Sequence, residues 1–276
     1  MGKKIAFIGV GNMATATIAG ITNEKKDMSD IILYNRHKEK IERYREVGAY
    51  IADSIIEAIE GADIVMLCVK PQNFPEVLPD LSLCKNVSSK IFVTMAAGIT
   101  METVSKAALG ASVIRVMPNT PMLIGKGVIA ACKNEQTSDE DFDFVCEIFS
   151  LSGKVIKIDE SEMNRIICVT GSSPAYVFMM IRAMYKGACA QGLLKNEAGL
   201  GISEKELVDS ICDTIIGAAE LMKAGTKTPS EQISTVASKG GTTERAIAEL
   251  EKFYFDEAII SAMKKCTERA DELGKN

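Results

Sequence analysis

The residues with the plainest chemical use stand near the amino terminus, where the apolar run Ile5 to Ile8 meets Gly9, Gly11 and then Asn12, Met13 and Ala14. The run reads as a buried parallel strand. Small or apolar residues at Met13, Ala14, Ala16, Thr17 and Ile18 read as the helix that follows. Strand, tight turn and helix start together make an anion site. Gly9 lets the chain turn, Gly11 lets the backbone approach a pyrophosphate, and the helix end offers unpaired N–H groups. Ala14 takes the place of a third glycine, and its methyl is small enough for close helix–strand packing. Ile8, Gly9, Gly11, Asn12 and Met13 are therefore the expected contacts for a dinucleotide. The competing reading is a glycine turn of this type that binds nothing.

A second set lies at Ser238-Lys-Gly-Gly-Thr-Thr243, between two helical segments. Gly240 and Gly241 bring backbone N–H groups within reach of a ligand, and a helix is expected to start at Thr243. Such a turn is a nest for a small carboxylate, with the hydroxyls of Ser238, Thr242 and Thr243 as neutral donors. An ordinary connection between two helices, with capping residues, would look the same.

The elements that position these residues alternate. A second strand, Ile31 to Tyr34, ends at Asn35-Arg36-His37-Lys38, about twenty residues past the glycine turn, where a dinucleotide fold meets the adenosine ribose. Selection of NAD places Asp or Glu there, whereas Asn35 and Arg36 suit a 2′-phosphate. NADPH is the expected cofactor, with NADH possible. Arg36 as a solvated surface charge is the alternative. Residues 38–46 read as an exposed amphipathic helix, and 53–59 as a helix capped by Asp53 or Ser54. Strands at 63–68, 91–94 and 113–116 end at Val69-Lys70-Pro71, at Met95-Ala96-Ala97-Gly98 and at Met117-Pro118-Asn119. Ligands of a doubly wound sheet lie beyond the carboxyl ends of its strands. So Val69, Lys70, Pro71, Ala96, Ala97, Gly98 and Asn119 are expected beside the cofactor. Residues 128–131, a helix over 139–151 and residues 154–157 complete the sheet. From Asp159 onward only helical periodicity is found, including a nearly all-apolar helix over 175–191 that must be buried in a core or at a subunit interface. Ser203 and Glu206 predict a capping box at the start of another helix. The expected division is 1–158, a nucleotide-binding domain, and 159–276, an all-helical one.

Composition excludes several function classes. The chain has 276 residues, 47% hydrophobic and 25% charged, as in ordinary globular proteins. A net charge of −5 argues against a nucleic-acid partner. The uncharged stretch 166–181 is too short for a membrane span and is broken by Gly171-Ser-Ser-Pro174. No signal peptide precedes the first strand, and the eight scattered cysteines contain no CxxC pair. They read as small buried hydrophobes in a reducing cytoplasm rather than as metal ligands or disulfides. A single histidine, His37, in a charged run leaves little room for histidine acid–base chemistry.

The second set of residues also carries a resemblance. Val236, Ser238, Gly240, Gly241, Thr243, Ala246, Ile247, Leu250 and Glu251 match the carboxy-terminal signature of the pyrroline-5-carboxylate reductases, the last enzymes of proline biosynthesis. Phe7-Ile-Gly-Val-Gly-Asn-Met13, Val69-Lys-Pro71, Ala96-Ala-Gly98, Pro118-Asn-Thr-Pro121 and Ser172-Ser-Pro-Ala-Tyr176 are similar to that family in the family's order. The resemblance spans essentially the whole chain. It implies an α/β Rossmann domain followed by an all-α domain that pairs two subunits, and larger homo-oligomers such as a decamer. It also implies reduction of 1-pyrroline-5-carboxylate to L-proline by hydride transfer to an iminium. On that model Thr243 bonds the ring nitrogen, while Ser238 and the N–H groups of Thr242 and Thr243 hold the carboxylate. Val236 and Glu160 approach the substrate. Two departures stand out: Ser173 where the family has Gly, and Lys239 where it has Pro. The readings that compete are a β-hydroxyacid dehydrogenase or related imine reductase, and a non-catalytic NADP(H) sensor.

Overall fold

A computed structural model of the chain describes residues 2–22, 28–195 and 199–274. Its first half is built on one sheet of strands β1 (Ile5–Ile8), β2 (Ile31–Tyr34), β3 (Tyr50–Ile51), β4 (Ile64–Leu67), β5 (Ile91–Thr94), β6 (Ser112–Met117), β7 (Gly127–Lys133) and β8 (Gly153–Lys157). They lie in the order β3-β2-β1-β4-β5-β6-β7-β8, with every pair parallel except β6 with β7. The first six strands thus take the doubly wound order, which reverses direction between β1 and β4.

The strand residues explain the sheet. Alternate side chains go to opposite faces, so Ala6, Ile8, Val65, Leu67, Phe92 and Val113 enter one core. Ile5, Phe7, Ile64, Met66, Ile91 and Val93 enter the other. A strand buried on both sides has no polar face to show, which is why these segments read as unbroken apolar runs. Helices α1 (Asn12–Thr22), α2 (Ile55–Glu60), α3 (Phe74–Leu83), α4 (Met101–Ala107) and α5 (Asp139–Ser150) make the crossovers.

Two local differences from the sequence reading have physical causes, and one open choice of cap is decided. Residues 38–46 are not an α-helix but 3₁₀ turns at Lys38–Lys40 and Glu42–Val47, none of whose residues is buried. Ile41, with the partly buried Tyr44, is all that anchors the stretch to the core, too little apolar surface to hold a longer helix. At α2 the capping choice falls on Ser54, whose Oγ accepts the Glu57 N–H at 3.1 Å, while Asp53 pairs with Lys38. Helix α3 is additional to the expected elements. Pro75 at its start and Pro79 within it obscure its periodicity.

Beyond β8, α6 (Met163–Ile166) runs into a π turn (Ile167–Gly171), then α7 (Ser173–Ala190), α8 (Glu204–Ala224), α9 (Pro229–Val236), α10 (Thr242–Lys252) and α11 (Phe255–Leu273) follow. The last strand ends at Lys157, but compactness divides the chain elsewhere than at residue 158. One unit is Met1–Pro174 with Lys264–Asn276, and the other is Ala175–Met263. Met163, Ile167 and Ala270 explain this, because all three sit in the first sheet core. The expected capping box is present: Ser203 Oγ accepts the Glu206 N–H at 3.2 Å and the Glu206 carboxylate accepts the Ser203 N–H at 2.9 Å.

The second unit keeps large apolar side chains uncovered. No residue of α7 is buried, and Phe178, Met179, Leu221 and Ile260 are more than half exposed. Surfaces of this extent mark interaction faces. Glu160–Ala190 forms one helical run of 31 residues, which by length and composition alone is enough to cross a membrane. The uncharged stretch 166–181 is only its middle, because the helical run continues through Gly171-Ser-Ser-Pro174 and extends before it to Glu160 and after it to Ala190. Met163 and Ile167 of that run are buried against the sheet.

Candidate active site

A cleft of about 610 Å³ opens beyond the carboxyl ends of β1, β2 and β4. The glycine turn supplies Gly9, Val10 and Gly11 to its wall. Gly9 has φ +85°, and a Cβ there would meet Val69 Cγ1 at 2.9 Å, so the turn excludes any side chain. A Cβ on Gly11 would meet no atom of the chain within 4 Å. Packing therefore does not require glycine at position 11, and the open space over it is the room a pyrophosphate needs. Ala14 is fully buried, in keeping with close helix–strand contact. These features fit a dinucleotide.

The other wall comes from the ends of β2 and β4 and from α3. Ile8, Asn35, Arg36, Val69 and Lys70 line the cleft as the sequence predicts. The Asn35 amide is engaged in shaping it: Oδ1 accepts the Val10 N–H at 3.3 Å and Nδ2 donates to the His37 carbonyl at 2.9 Å. Arg36 is thus the guanidinium that faces the cleft, and there it forms an ion pair with Glu76. Tyr34, His37, Lys40, Asn73 and Glu76 also line the cleft and were not expected. The charge run after β2 signals His37 and Lys40. Glu76 lies on the helix whose pattern the prolines hide. Cys68 lines the cleft as well, but desolvation pushes its thiol up, so it stays neutral and is no nucleophile there.

The remaining expected contacts are placed differently. Asn12, Met13 and Pro71 are outside the cleft lining, as are Ala96, Ala97 and Gly98. Gly98 has φ +79°, and a Cβ there would meet the backbone of Leu273 and Gly274 at 2.6 and 2.7 Å. The glycine is needed for the close approach of the end of α11. Asn119 is buried, and its amide joins two backbone groups: Oδ1 accepts the Val128 N–H at 2.9 Å and Nδ2 donates to the Thr170 carbonyl at 3.0 Å. Glu160 accepts the Met101 N–H at 2.7 Å at the start of α4 and lies 3.4 Å from Arg115. Its carboxylate is a helix cap and a counter-ion, which is a structural role.

The Ser238–Thr243 turn links α9 to α10 in the second unit. Gly240 has φ +76°, and the Gly241 N–H donates to the Ser238 carbonyl at 2.9 Å. A Cβ on Gly241 would meet Ser238 Oγ at 2.7 Å. Helix α10 begins at Thr242, one residue earlier than expected, because the Gly241 carbonyl already accepts the Arg245 N–H. Thr242 and Thr243 therefore stand at its first positions, where N–H groups lack helical partners. The Gly240 N–H is taken by the chain's own Glu244 carboxylate at 2.8 Å, so this turn does accept a carboxylate oxygen. Val236 ends α9 and is exposed beside it. Among the described residues no cluster of His, Cys, Asp or Glu could hold a metal ion.

Comparison with known proteins adds the following. Residues 4–98 match the family described as NADP oxidoreductase, coenzyme F420-dependent, and residues 160–273 match pyrroline-5-carboxylate reductase dimerisation. The chain is 35% identical over 276 residues to a pyrroline-5-carboxylate reductase of Corynebacterium melassecola, covering 99% of each. Its fold is similar to a crystal structure of 1-pyrroline-5-carboxylate reductase from Streptococcus pyogenes (TM-score 0.86, 27% identity, 98% of each chain). It is also similar to a Plasmodium falciparum pyrroline carboxylate reductase with NADP bound (TM-score 0.87, 24% identity, 99% of this chain and 98% of that one). With end-to-end similarity of this kind, the chain belongs to the pyrroline-5-carboxylate reductase family.

Proposed function

We propose that the protein reduces 1-pyrroline-5-carboxylate to L-proline, the final step of proline biosynthesis, with NADPH as cofactor and NADH also accepted. What supports this reading is the end-to-end match to pyrroline-5-carboxylate reductases, together with the geometry of this chain's two glycine turns. The cofactor would be held by Ile8, Gly9 and Gly11 at its pyrophosphate, by Arg36 at its adenosine end, and by Val69 and Lys70 along the cleft. Asn35 acts by fixing the turn. When bound, the nicotinamide supplies a hydride to the C=N carbon of the substrate.

The chain's own residues do the rest by positioning. Ser238 and the N–H groups of Thr242 and Thr243 hold the substrate carboxylate, and Gly240 and Gly241 keep that approach open. Thr243 hydrogen-bonds the ring nitrogen, its hydroxyl oxygen accepting from the iminium N–H, and the hydride turns that iminium into the amine with no proton drawn from the threonine. A cyclic imine is basic enough to react as its iminium, so no strong protein acid is called for. Val236 offers apolar contact beside the turn, and Lys239 adds a positive charge near the carboxylate. Residues 159–276 form the substrate-binding and dimerisation part, two copies pair through its helices, and dimers assemble further, as in a decamer. The apolar face of α7 is then covered by protein, and the enzyme works in the cytoplasm without a membrane or nucleic-acid partner.

The test uses NADPH deuterated at the transferred position. Deuterium on the proline ring CH2 bonded to nitrogen, the former C=N carbon, supports the assignment. Loss of NADPH without labelled proline would overturn it. Binding of cofactor with no turnover would favour the sensor reading, which the retained Ser238, Gly240, Gly241 and Thr243 disfavour.

A further inference from the structure

The adenosine end of the cleft carries opposite charges from two different elements. Arg36 follows β2 directly, and Glu76, in the first turn of α3, reaches it to form an ion pair. Both line the cleft, and both side chains are mostly exposed, at 65% and 61%, so a ligand can reach either. The neighbouring groups leave Arg36 little help. Asn35 is tied to Val10 and His37, Lys38 is paired with Asp53, and His37 lies 3.5 Å from Glu39. Lys40 and Lys70 are further cations in the wall, and neither follows β2 directly as Arg36 does. The carboxylate that a dinucleotide fold ordinarily places at the end of β2 for the ribose hydroxyl is absent there. Glu76 brings one to the same end of the cleft from α3.

We infer that Glu76 is a specificity residue that weakens this chain's preference for NADPH over NADH, because it competes with the 2′-phosphate for Arg36 and offers the 2′-hydroxyl an acceptor. An incoming phosphate must displace the Glu76 carboxylate or lie beside it. A fork of guanidinium N–H groups that is already engaged is a poorer phosphate site than a free one. A ribose hydroxyl meets no such competition and can donate to Glu76. This rests on the dinucleotide reading of the cleft, and a binding measurement without turnover separates the two.

The experiment titrates the full-length protein with adenosine 2′,5′-bisphosphate and with adenosine 5′-monophosphate, which differ only in the 2′-phosphate. Glu76→Gln is expected to tighten the bisphosphate about three- to fivefold, the scale of one exposed ion pair, and to weaken the monophosphate about twofold, because an amide oxygen is a poorer acceptor for the 2′-hydroxyl than a carboxylate. The gain should shrink at high salt and be lost in the Arg36→Gln background. Unchanged or weaker binding of the bisphosphate by Glu76→Gln, with both nucleotides bound by the unaltered protein, overturns the role of Glu76 alone. An equal gain for both nucleotides overturns it as well. Binding of neither nucleotide by the unaltered protein overturns the dinucleotide reading together with it.

Discussion

The Glu160 carboxylate lies 3.4 Å from the guanidinium of Arg115, a β6 side chain that is only 2% exposed. Arg115 Nη2 also donates to Asn164 at 2.8 Å, and Asn164 in turn donates to Asp271 at 2.9 Å. Arg115 Nε has no partner among the described residues. This polar chain ties α6 and the end of α11 to the sheet. Removing the carboxylate paired with Arg115 leaves a buried charge without its counter-ion, which is strongly destabilising, discounted here because Glu160 is partly exposed. Glu160→Ala should therefore lose about 2 kcal/mol in chemical denaturation and keep its KM for substrate. A raised KM with unchanged stability would place Glu160 at the substrate after all.

Gly9 and Gly11 separate turn geometry from ligand space. Gly9→Ala adds a methyl at φ +85°, 2.9 Å from Val69. It should lose about 1–3 kcal/mol of stability as well as cofactor affinity. Gly11→Ala meets nothing in the chain, so its melting temperature should hold while cofactor affinity falls about tenfold. Thermal melts and cofactor titrations of both variants check this, and an unchanged affinity for Gly11→Ala would contradict the pyrophosphate assignment.

These cases show what the chain's residues reveal in order and what they conceal. The buried strands, their order of appearance and the glycine turn are local patterns, and the periodicity of Ile5–Ile8 or Ile64–Leu67 carries them directly. The roles of Asn119, Glu160 and Gly98 are set by partners far along the chain, at Thr170, Arg115 and Leu273. No spacing rule reports such contacts, so the sequence alone does not show that these residues also hold distant segments together. Glu76 was hidden for a different reason, because two prolines break the pattern of α3.

Ser173 gives a further case. Its Oγ donates to the Cys168 carbonyl at 3.1 Å and also to the Val169 carbonyl, both next to a π turn closed by the Ser172 N–H on the Ile167 carbonyl. A π turn leaves carbonyls without their usual helical partners. The hydroxyl meets that need, so the side chain that departs from the family pattern is accommodated. Ser173→Gly should lose about 1 kcal/mol from the missing hydrogen bond and the added chain entropy. Activity should persist, and a stability equal to or above that of the unaltered protein would contradict this role.

Buried thiols make stability depend on alkaline pH: Cys68, Cys84, Cys132 and Cys146 are all pushed up by desolvation. Burial pushes Cys132 up to about 12 and Cys84 up to about 11, from the ordinary value of 9.0. Above pH 9 the unfolded chain ionises these thiols while the folded one does not, so the unfolded state binds fewer protons and folding stability falls as pH rises. The contribution is complete below about pH 9 and is lost between there and the folded values. Cys132→Val should flatten part of that slope in denaturation curves taken from pH 8 to 11. An identical slope would remove Cys132 from the account.

The central claim is that this chain turns over 1-pyrroline-5-carboxylate. Its most direct measurement is NADPH consumption by the purified protein with that substrate, repeated with Thr243→Ala. Substrate-dependent NADPH loss with L-proline as product is expected, with kcat/KM lowered about tenfold or more by Thr243→Ala, the scale of one lost hydrogen bond. No turnover by a protein that still binds NADPH, or full activity in Thr243→Ala, would contradict it.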